Sequence, residues 1–326
     1  MTRRRSSRRS RARRRSRSIR VRTLLSALLA LLIGAYGLWG SQIRDLLGLG
    51  DGAAPDKGIA LRLVTWNLRN FPGKRQDLDL LKQRLVDLDA DIIAVQEIKQ
   101  PKALRALLPE YELLISKRGG RGHQRLGLLY KPARVELIGE PQEHDQLSLR
   151  GRVRPAFSAY LRARGGGPDF HIVVVHLKAM TKGYSQRQQQ WPMLASISRS
   201  LQQSDPKDSD LIILGDFNTT GPADGDTARE LQALEAIFSE AGLRRLPAAR
   251  GCSTYWDGKR RDAWKEPSLL DLIWIGDLTE AVSADAQARA FGHCARNRCQ
   301  AFRSTKAYPE LDFETVSDHC PVILDL

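Results

Sequence analysis

The stretch LIILGDFNTT, residues 211 to 220, is the part of the sequence that most narrows the choice of fold. Its four consecutive large apolar residues are typical of a strand buried on both faces. Asp216 and Asn218 follow, one residue apart, where we expect a tight turn. Since sites in α/β proteins are commonly built where strands end, both side chains are candidates to face one substrate group.

Polar residues stand at or near the ends of other apolar runs as well. They are Asn67 after LRLVTW (61–66), Glu97 ending DIIAVQE (91–97), His176 in FHIVVVHLK (170–178), Asp271 in LLDLIWI (269–275), and Asp318 with His319 before PVILDL (321–326). Each residue taken alone has an ordinary explanation as a turn or cap residue. Their recurrence at strand ends indicates one site assembled from distant parts of the chain.

Helical and strand patterns alternate between these runs. Further strands are predicted over 126–131, 134–139 and 156–164, and helices over 77–88, 185–203 and 227–241. The alternation predicts an α/β domain over residues 60–326, with helices packed outside sheet. A domain of that length can bury a sizeable core.

The first 22 residues form an Arg/Ser-rich tail whose composition differs from the rest. They hold 12 of the 52 Lys and Arg residues and no acid, which leaves 40 basic and 37 acidic residues, a net charge of +3, in the remainder. The pI of about 10.0 is therefore a property of this tail. It is weak evidence that the folded part binds nucleic acid.

An uncharged segment, TLLSALLALLIGAYGLW (23–39), follows the tail. It is at the short end of what crosses a bilayer as a helix. Because an arginine-rich flank stays in the cytoplasm, we expect a single-pass transmembrane helix over 23–40, a linker over 41–59, and a domain outside the cytoplasm, periplasmic or extracellular. The alternative is a cleaved signal peptide, which would give a secreted protein.

All four cysteines lie in the last quarter of the chain, at Cys252, Cys294, Cys299 and Cys320. Outside the cytoplasm they would form disulfides, and the short spacing favours Cys294 with Cys299, which leaves Cys252 with Cys320. Zinc binding is an alternative, although the spacings match none of the usual zinc patterns. Reduced, buried cysteines are the third possibility.

The candidate site residues supply metal ligands and a base. Glu97 and Asp318 are hard oxygen ligands, and Asn67 adds an amide oxygen, which suits Mg²⁺ or Mn²⁺ bridged to a phosphate. His319 can take a proton from water if a carboxylate holds its other ring nitrogen, and Asp271 is the candidate for that role. His176 can stabilise the leaving oxygen. These groups predict hydrolysis of a phosphate ester by in-line attack of water.

The segments that carry these residues resemble the successive motifs of the endonuclease/exonuclease/phosphatase superfamily. They are VTWNL (64–68), AVQEIK (94–99), VVVHLKA (173–179), ILGDFNTT (213–220), LLDLIWI (269–275) and SDHCPV (317–322). The resemblance spans nearly all of residues 60–326, and GDFN followed by SDH is its most specific part. It implies a deoxyribonuclease I-like fold, a four-layer sandwich of two packed mixed β-sheets flanked by helices, with a metal-dependent site at one edge of the sheets.

The resemblance also implies a role for each candidate residue. These are Asn67 and Glu97 at the metal, Asp318 as a ligand or orienting group, His176 and Asn218 on the phosphate, Asp216 in proton transfer or orientation, and Asp271 beside the base His319. Arg154 in RVRPAF is the expected phosphate-binding arginine, with Arg152 as second choice. Digestive nucleases of the family carry glutamate where this chain has Gln124, so the partner of His176 is left open.

The expected function is therefore Mg²⁺-dependent phosphodiester hydrolysis, most simply by a nuclease acting on nucleic acid. The alternatives are a phosphomonoesterase or a sphingomyelinase-like lipid phosphodiesterase on the same scaffold, and a catalytically inert binding module. The segment CSTYWDGKRRDAWK (252–265) interleaves aromatic and basic residues, which suits stacking on bases but is equally explained as a structured loop. No protein partner is implied.

Overall fold

Two six-stranded sheets form the centre of the structure, a computed structural model that describes residues 61–204, 209–222, 224–258, 262–278 and 280–326. The first sheet consists, in spatial order, of β13 (Arg289–Ala290), β15 (Val322–Asp325), β1 (Arg62–Asn67), β2 (Ile92–Ile98), β4 (Arg125–Tyr130) and β3 (Glu112–Ile115). The second consists of β5 (Val135–His144), β6 (Ala156–Ala163), β7 (Asp169–His176), β8 (Leu211–Asp216), β12 (Asp271–Gly276) and β9 (Arg244–Arg245). A smaller sheet is formed by β10 (Thr254–Trp256), β11 (Trp264–Ser268) and β14 (Phe302–Arg303).

Both large sheets are mixed, because each contains a parallel pair among antiparallel neighbours. β1 runs parallel to β2, with Asn67 opposite Gln96, and β7 runs parallel to β8, with His176 opposite Asp216. Parallel strands end at the same edge of a sheet, so each pair delivers two strand ends to one place. The predicted α/β fold with two mixed sheets is confirmed.

The sheets share one hydrophobic core between them. It combines Leu63 and Leu128 of the first sheet with Phe157, Ile172 and Leu214 of the second. Because side chains alternate along a strand, the residues between these positions point to the opposite faces, which helices cover. Each sheet is therefore buried on both faces, which explains the near-continuous apolar strands of the sequence.

The helices divide between the two outer faces. The leucine-rich α1 (Leu78–Asp87) and α2 (Pro101–Leu107) pack on the first sheet, and α3 (Tyr184–Gln202) and α4 (Thr227–Ser239) pack on the second. Asp77 and Asp226 cap α1 and α4, since each carboxylate accepts a backbone N–H of the first turn, at 3.0 and 2.9 Å. The short α5 (His293–Arg296) packs beside the small sheet.

The predicted membrane location is contradicted and must be corrected. Among the residues that the structure describes, no helix is both long enough and apolar enough to cross a bilayer. The longest of them, α3, has 19 residues but carries Arg187 and Arg199, and it packs on a sheet. The segment 23–40, from which the anchor was predicted, lies outside the described residues.

The disulfide pairing also differs from the one that spacing favoured. The bonds join Cys252 to Cys299 and Cys294 to Cys320, with Cα atoms 5.6 and 6.1 Å apart. Cys294 lies on α5, which packs against the chain just before β15, whereas Cys299 lies after the helix and reaches Cys252. His293 lies close to Cys294 and Cys320, but both sulfurs are consumed in the disulfide, which removes the zinc alternative there.

Candidate active site

The predicted site residues converge on one edge of the two sheets. Asn67 ends β1, and His176 and Asp216 end the parallel strands β7 and β8. Asp271 begins β12 and lies opposite Asp216, because β12 runs antiparallel to β8. His319 reaches the same edge because it precedes β15, which runs antiparallel to β1. Residues up to 252 positions apart are thus brought together by strand direction.

His319 and Asp271 form a buried hydrogen-bonded pair. Nδ1 of His319 lies 2.8 Å from Oδ2 of Asp271. The indole of Trp66 donates to the His319 carbonyl at 2.9 Å, and Oγ of Ser253 accepts the Asp271 backbone N–H at 2.8 Å. Burial alone would lower the pKa of His319, but the charges of Asp271 and Asp216 outweigh it and raise this pKa well above its ordinary value. The pair therefore leaves Nε2 of His319 facing the site.

Asp216 lies at the centre of the site and contacts several of its residues. Its Oδ2 accepts the Asn67 amide at 3.0 Å and lies 3.2 Å from Nε2 of His176 and 3.9 Å from Nε2 of His319. Its Oδ1 accepts the backbone N–H of Asn218 at 2.9 Å. Burial raises the pKa of Asp216 to about 7 although the positive charge of His319 opposes the shift. One carboxylate thus lies beside both imidazoles.

The turn after β8 depends on a glycine. Gly215 has φ +139°, and a Cβ on it would lie 2.1 Å from the carbonyl oxygen of Val175 on β7. No other residue fits such a close approach of two strands. Asn218 then takes a left-handed conformation, with φ +52°, which asparagine tolerates better than most residues. The sequence GDFN therefore encodes this turn as well as its functional groups.

Glu97 is aimed by a bulge in β2. The register with β4 shifts between Val95 and Ile98, and Glu97 has φ +65°. Bulges commonly re-aim a side chain beside an active site, and a left-handed glutamate is strained. Oε2 of Glu97 accepts the backbone N–H of Asn70 at 2.7 Å, whereas Oε1 accepts no hydrogen bond from a described residue and lies 3.8 Å from Nε2 of His176.

The three predicted metal ligands differ in what they offer. Glu97 presents a free carboxylate oxygen to the site, and Asp318, about one-third exposed, lies 3.7 Å from Nε of Arg69. Asn67 uses its amide nitrogen on Asp216, and its amide oxygen accepts the backbone N–H of Arg69 at 3.0 Å. The two carboxylates are hard oxygen donors that fit a divalent cation such as Mg²⁺; Asn67 is already engaged by the protein on both sides.

His176 is held as a neutral imidazole. It is buried, and its pKa is lowered well below the ordinary value by burial and then by the charge of Arg154. Its Nε2 lies 3.2 Å from Asp216, and its Nδ1 has no hydrogen-bond partner among the described residues. A neutral ring can donate one hydrogen bond without adding a charge to the site.

Arg154 faces backbone carbonyls in this structure. Its Nε donates to the carbonyl of His176 at 3.1 Å, and one terminal nitrogen donates to the carbonyl of Leu177 at 2.9 Å. The other donates to Oε1 of Gln124 at 3.1 Å, and Gln124 in turn donates to Asn70 at 3.0 Å. Gln124 thus links Arg154 to the loop that holds Glu97, and the structure gives it no hydrogen bond to His176.

Two serines of the site were missed in the sequence. Ser253 accepts the backbone N–H groups of Leu270 and Asp271, and Ser317 donates to the carbonyl of Asn67 at 2.7 Å while accepting the His319 N–H at 3.1 Å. The position of Ser317 two residues before His319 was a usable signal. Ser253 lies in the segment 252–265, which was noted only for its aromatic and basic residues, so it gave no such signal.

The aromatic and basic segment 252–265 lies beside this edge, on β10 and β11. Tyr255 is buried, and its backbone N–H donates to the Asp318 carbonyl at 3.0 Å. Trp256 and Trp264 are each 48% exposed, and Lys265 is paired with Asp257 at 2.8 Å. Residues 259–261, which supply most of its charge, lie outside the described residues. The described parts of the segment thus contribute two strands to the small sheet.

Comparison with known proteins supports the same grouping of motifs. The model of the endonuclease/exonuclease/phosphatase family matches residues 64–319. No curated protein matches the chain by sequence.

Solved structures share the fold of the chain and resemble it only weakly in sequence. D. rerio TDP2 complexed with single-strand DNA product has a TM-score of 0.58 at 14% identity, over 81% of this chain and 97% of that one. The human Nocturnin catalytic domain with bound sulfate has a TM-score of 0.56 at 18% identity, over 81% and 92%. A Bacteroides thetaiotaomicron mannosyl-6-phosphatase has a TM-score of 0.55 at 19% identity, over 81% and 98%. At these identities the likeness concerns the fold.

Proposed function

Since the chain belongs to the endonuclease/exonuclease/phosphatase family and is therefore a phosphoric ester hydrolase, we propose that it hydrolyses phosphodiesters. The proposed substrate is nucleic acid, and the proposed general base is His319. The observation that carries this proposal is the hydrogen bond of 2.8 Å between His319 and Asp271, beside the shared carboxylate of Asp216. The likeness in fold to TDP2, whose structure contains a DNA product, supports nucleic acid as the substrate.

In this proposal His319 activates the attacking water. Its Nδ1 is held by Asp271, and in the neutral form of the ring its Nε2 accepts a proton while the water oxygen bonds to phosphorus. The charge of Asp271 then stabilises the imidazolium that forms, as in other carboxylate–histidine pairs. The ester oxygen on the opposite side of phosphorus leaves with the bonding electron pair.

The neighbouring groups orient and stabilise the phosphate. Asp216 holds the Asn218 backbone and lies between the two imidazoles, while Asp271 holds His319, so the water and the phosphate meet in one geometry. His176 and Asn218 supply N–H donors for the charge that develops on the phosphate oxygens. Arg154 positions His176 through its carbonyl and adds a positive charge beside Glu97 and Asp216.

Glu97 and Asp318 are the residues proposed to hold Mg²⁺ or Mn²⁺. When bound there, the cation would neutralise charge on the phosphate and on the leaving oxygen. Asn67 contributes by orienting Asp216, since its amide is already hydrogen-bonded to that carboxylate.

A substrate panel tests this function. The purified protein, with Mg²⁺ and with EDTA, is assayed on bis(p-nitrophenyl) phosphate, a single-stranded oligonucleotide, sphingomyelin and p-nitrophenyl phosphate. We expect EDTA-sensitive hydrolysis of bis(p-nitrophenyl) phosphate and of the oligonucleotide. His319→Ala should lose this activity, whereas His171→Ala should keep it, because His171 lies near the other end of β7 from His176. Preference for the phosphomonoester or for sphingomyelin would contradict the proposed substrate, and activity in His319→Ala would contradict the proposed base.

A further inference from the structure

A cavity of about 350 Å³ lies next to the catalytic edge and is lined by four cationic side chains, those of Arg121, Arg152, Arg154 and Lys178. Its lining contains no carboxylate, and Gln186 is its uncharged polar member. Ligand-binding cavities have volumes of about 300 to 1,000 Å³, so this one can hold a chemical group. Its charge makes an anion the favoured ligand.

None of these four cations has a carboxylate partner within the described ranges. Arg121 and Lys178 make no side-chain hydrogen bond there, and Arg152 donates only to a backbone carbonyl, at 3.1 Å. Elsewhere on the surface Arg118 and Arg162 pair with carboxylates at 2.5 and 2.9 Å. Like charges gathered without counter-charges repel one another, so an anion between them would be stabilised.

The backbone that carries these cations is fixed on both sides of the cavity. A Cβ on Gly120, which has φ +63°, would lie 2.7 Å from Val153, so the loop of Arg121 is packed tightly against the segment of Arg152. On the other side, the Lys178 carbonyl accepts a hydrogen bond of 2.9 Å from the fully buried Arg187. The packing of the fold therefore fixes the walls of the cavity.

The cavity adjoins the proposed catalytic centre through two residues. Arg154 lines the cavity and also donates to the carbonyl of His176. Lys178 follows His176 by two residues at the end of β7. A group bound in the cavity would therefore lie beside the phosphate that His176 faces.

We propose that this cavity binds a second phosphate of the substrate, beside the phosphate that is hydrolysed. The proposal rests on the proposed function for the position of the scissile phosphate, and it narrows the substrate to molecules with two or more phosphates. A polynucleotide meets this requirement through its next internal phosphate, and a shorter substrate through a terminal one. Sphingomyelin, with a single phosphate, does not.

Binding rather than turnover tests the proposal. The ligands are titrated into the His319→Ala protein by isothermal titration calorimetry, with Mg²⁺ present. The first comparison is between thymidine 3′,5′-bisphosphate and the two thymidine monophosphates, and it tests whether the cavity binds a terminal phosphate. A second comparison, of TpTpT with TpT, probes an internal one. We expect the ligand with the additional phosphate to bind at least about fivefold more tightly in one or both comparisons, as one partly exposed ion-pair contact would give.

Variants that remove a charge show which side chains cause the tighter binding of the ligand with the additional phosphate. Arg121→Gln combined with Arg152→Gln should abolish it, and Lys178→Gln should weaken it, whereas Arg150→Gln, an exposed arginine outside the cavity lining, should retain it. Equal binding with and without the additional phosphate, or a preference that survives the double substitution, would overturn the proposal. A preference that depends on Arg121 and Arg152 in a protein inactive on every phosphodiester would retain this site and reject the proposed function instead.

Discussion

The imidazole of His319 lies 2.8 Å from the carboxylate of Asp271, 48 residues earlier in the chain. Neither residue reaches the other through local structure. His319 precedes β15 in one sheet, and Asp271 begins β12 in the other, so the pair is formed only when the two sheets pack together. Catalysis in the proposed mechanism therefore depends on the inter-sheet core.

The first prediction concerns that pair. Asp271→Asn keeps the shape of the side chain but removes the charge that orients His319 and stabilises its protonated form. We expect kcat on bis(p-nitrophenyl) phosphate to fall by about 10² to 10⁴-fold, the usual range for general acid–base catalysis. Asp87→Asn, at a partly exposed position on α1, is the matched control. A variant that kept more than a tenth of the wild-type kcat would show that Asp271 does not support the base.

The second prediction concerns metal binding. Glu97→Gln preserves a hydrogen-bond acceptor for the Asn70 N–H but removes the negative charge. Titration with Mn²⁺ alone, followed by the loss of its free-ion paramagnetic resonance signal, should show affinity lowered by at least about tenfold. Glu110→Gln, at an exposed position remote from the site, should bind Mn²⁺ like the wild type. Unchanged affinity in Glu97→Gln would remove Glu97 from the proposed ligands.

The third prediction concerns the disulfides. Non-reducing peptide mapping should recover Cys252 linked to Cys299 and Cys294 linked to Cys320. The bonds close loops with sequence separations of 47 and 26 residues. Loops of that size correspond to about 3–4 kcal/mol of stability per bond. Replacing Cys294 and Cys320 together by alanine should therefore lower the free energy of unfolding in urea by that amount, and a change below about 1 kcal/mol would contradict it.

The fourth prediction concerns pH. Burial lowers the pKa of His293 to about 4, so the folded protein favours its neutral form. The corresponding stability is complete above the unfolded pKa of about 6.5 and is lost as the pH falls towards 4, by up to about 3 kcal/mol. Urea unfolding of wild type and His293→Gln, in EDTA, should give two stability curves whose difference changes across this window. Curves that stay parallel from pH 7.5 to pH 4.5 would contradict the prediction.

Much of the site could be predicted because its residues flank apolar strands. Asp216, Asn218 and His319 each stand beside a run that had to be buried, and strand direction then brings such ends together. A local pattern is enough to mark these positions. The α/β class followed from the same runs, whereas the family and the two mixed sheets were implied by the resemblance of the motif segments.

Features that depend on packing between distant segments could not be predicted in this way. Spacing suggested a bond between Cys294 and Cys299, but α5 directs Cys294 towards Cys320. The sequence marks Arg154 as a cation without showing that it faces carbonyl oxygens. Likewise, Ser253 supports Asp271 from a segment with no recognisable motif.

The first and last strands of the described domain are neighbours, and the backbone N–H of Leu326 donates to the Leu61 carbonyl at 2.9 Å. This hydrogen bond lies at the opposite end of β1 from Asn67, about 20 Å away for a strand of six residues. A support or fusion partner attached after Leu326 would therefore stand behind the catalytic edge, and the protein could be immobilised with its site open to large substrates in solution.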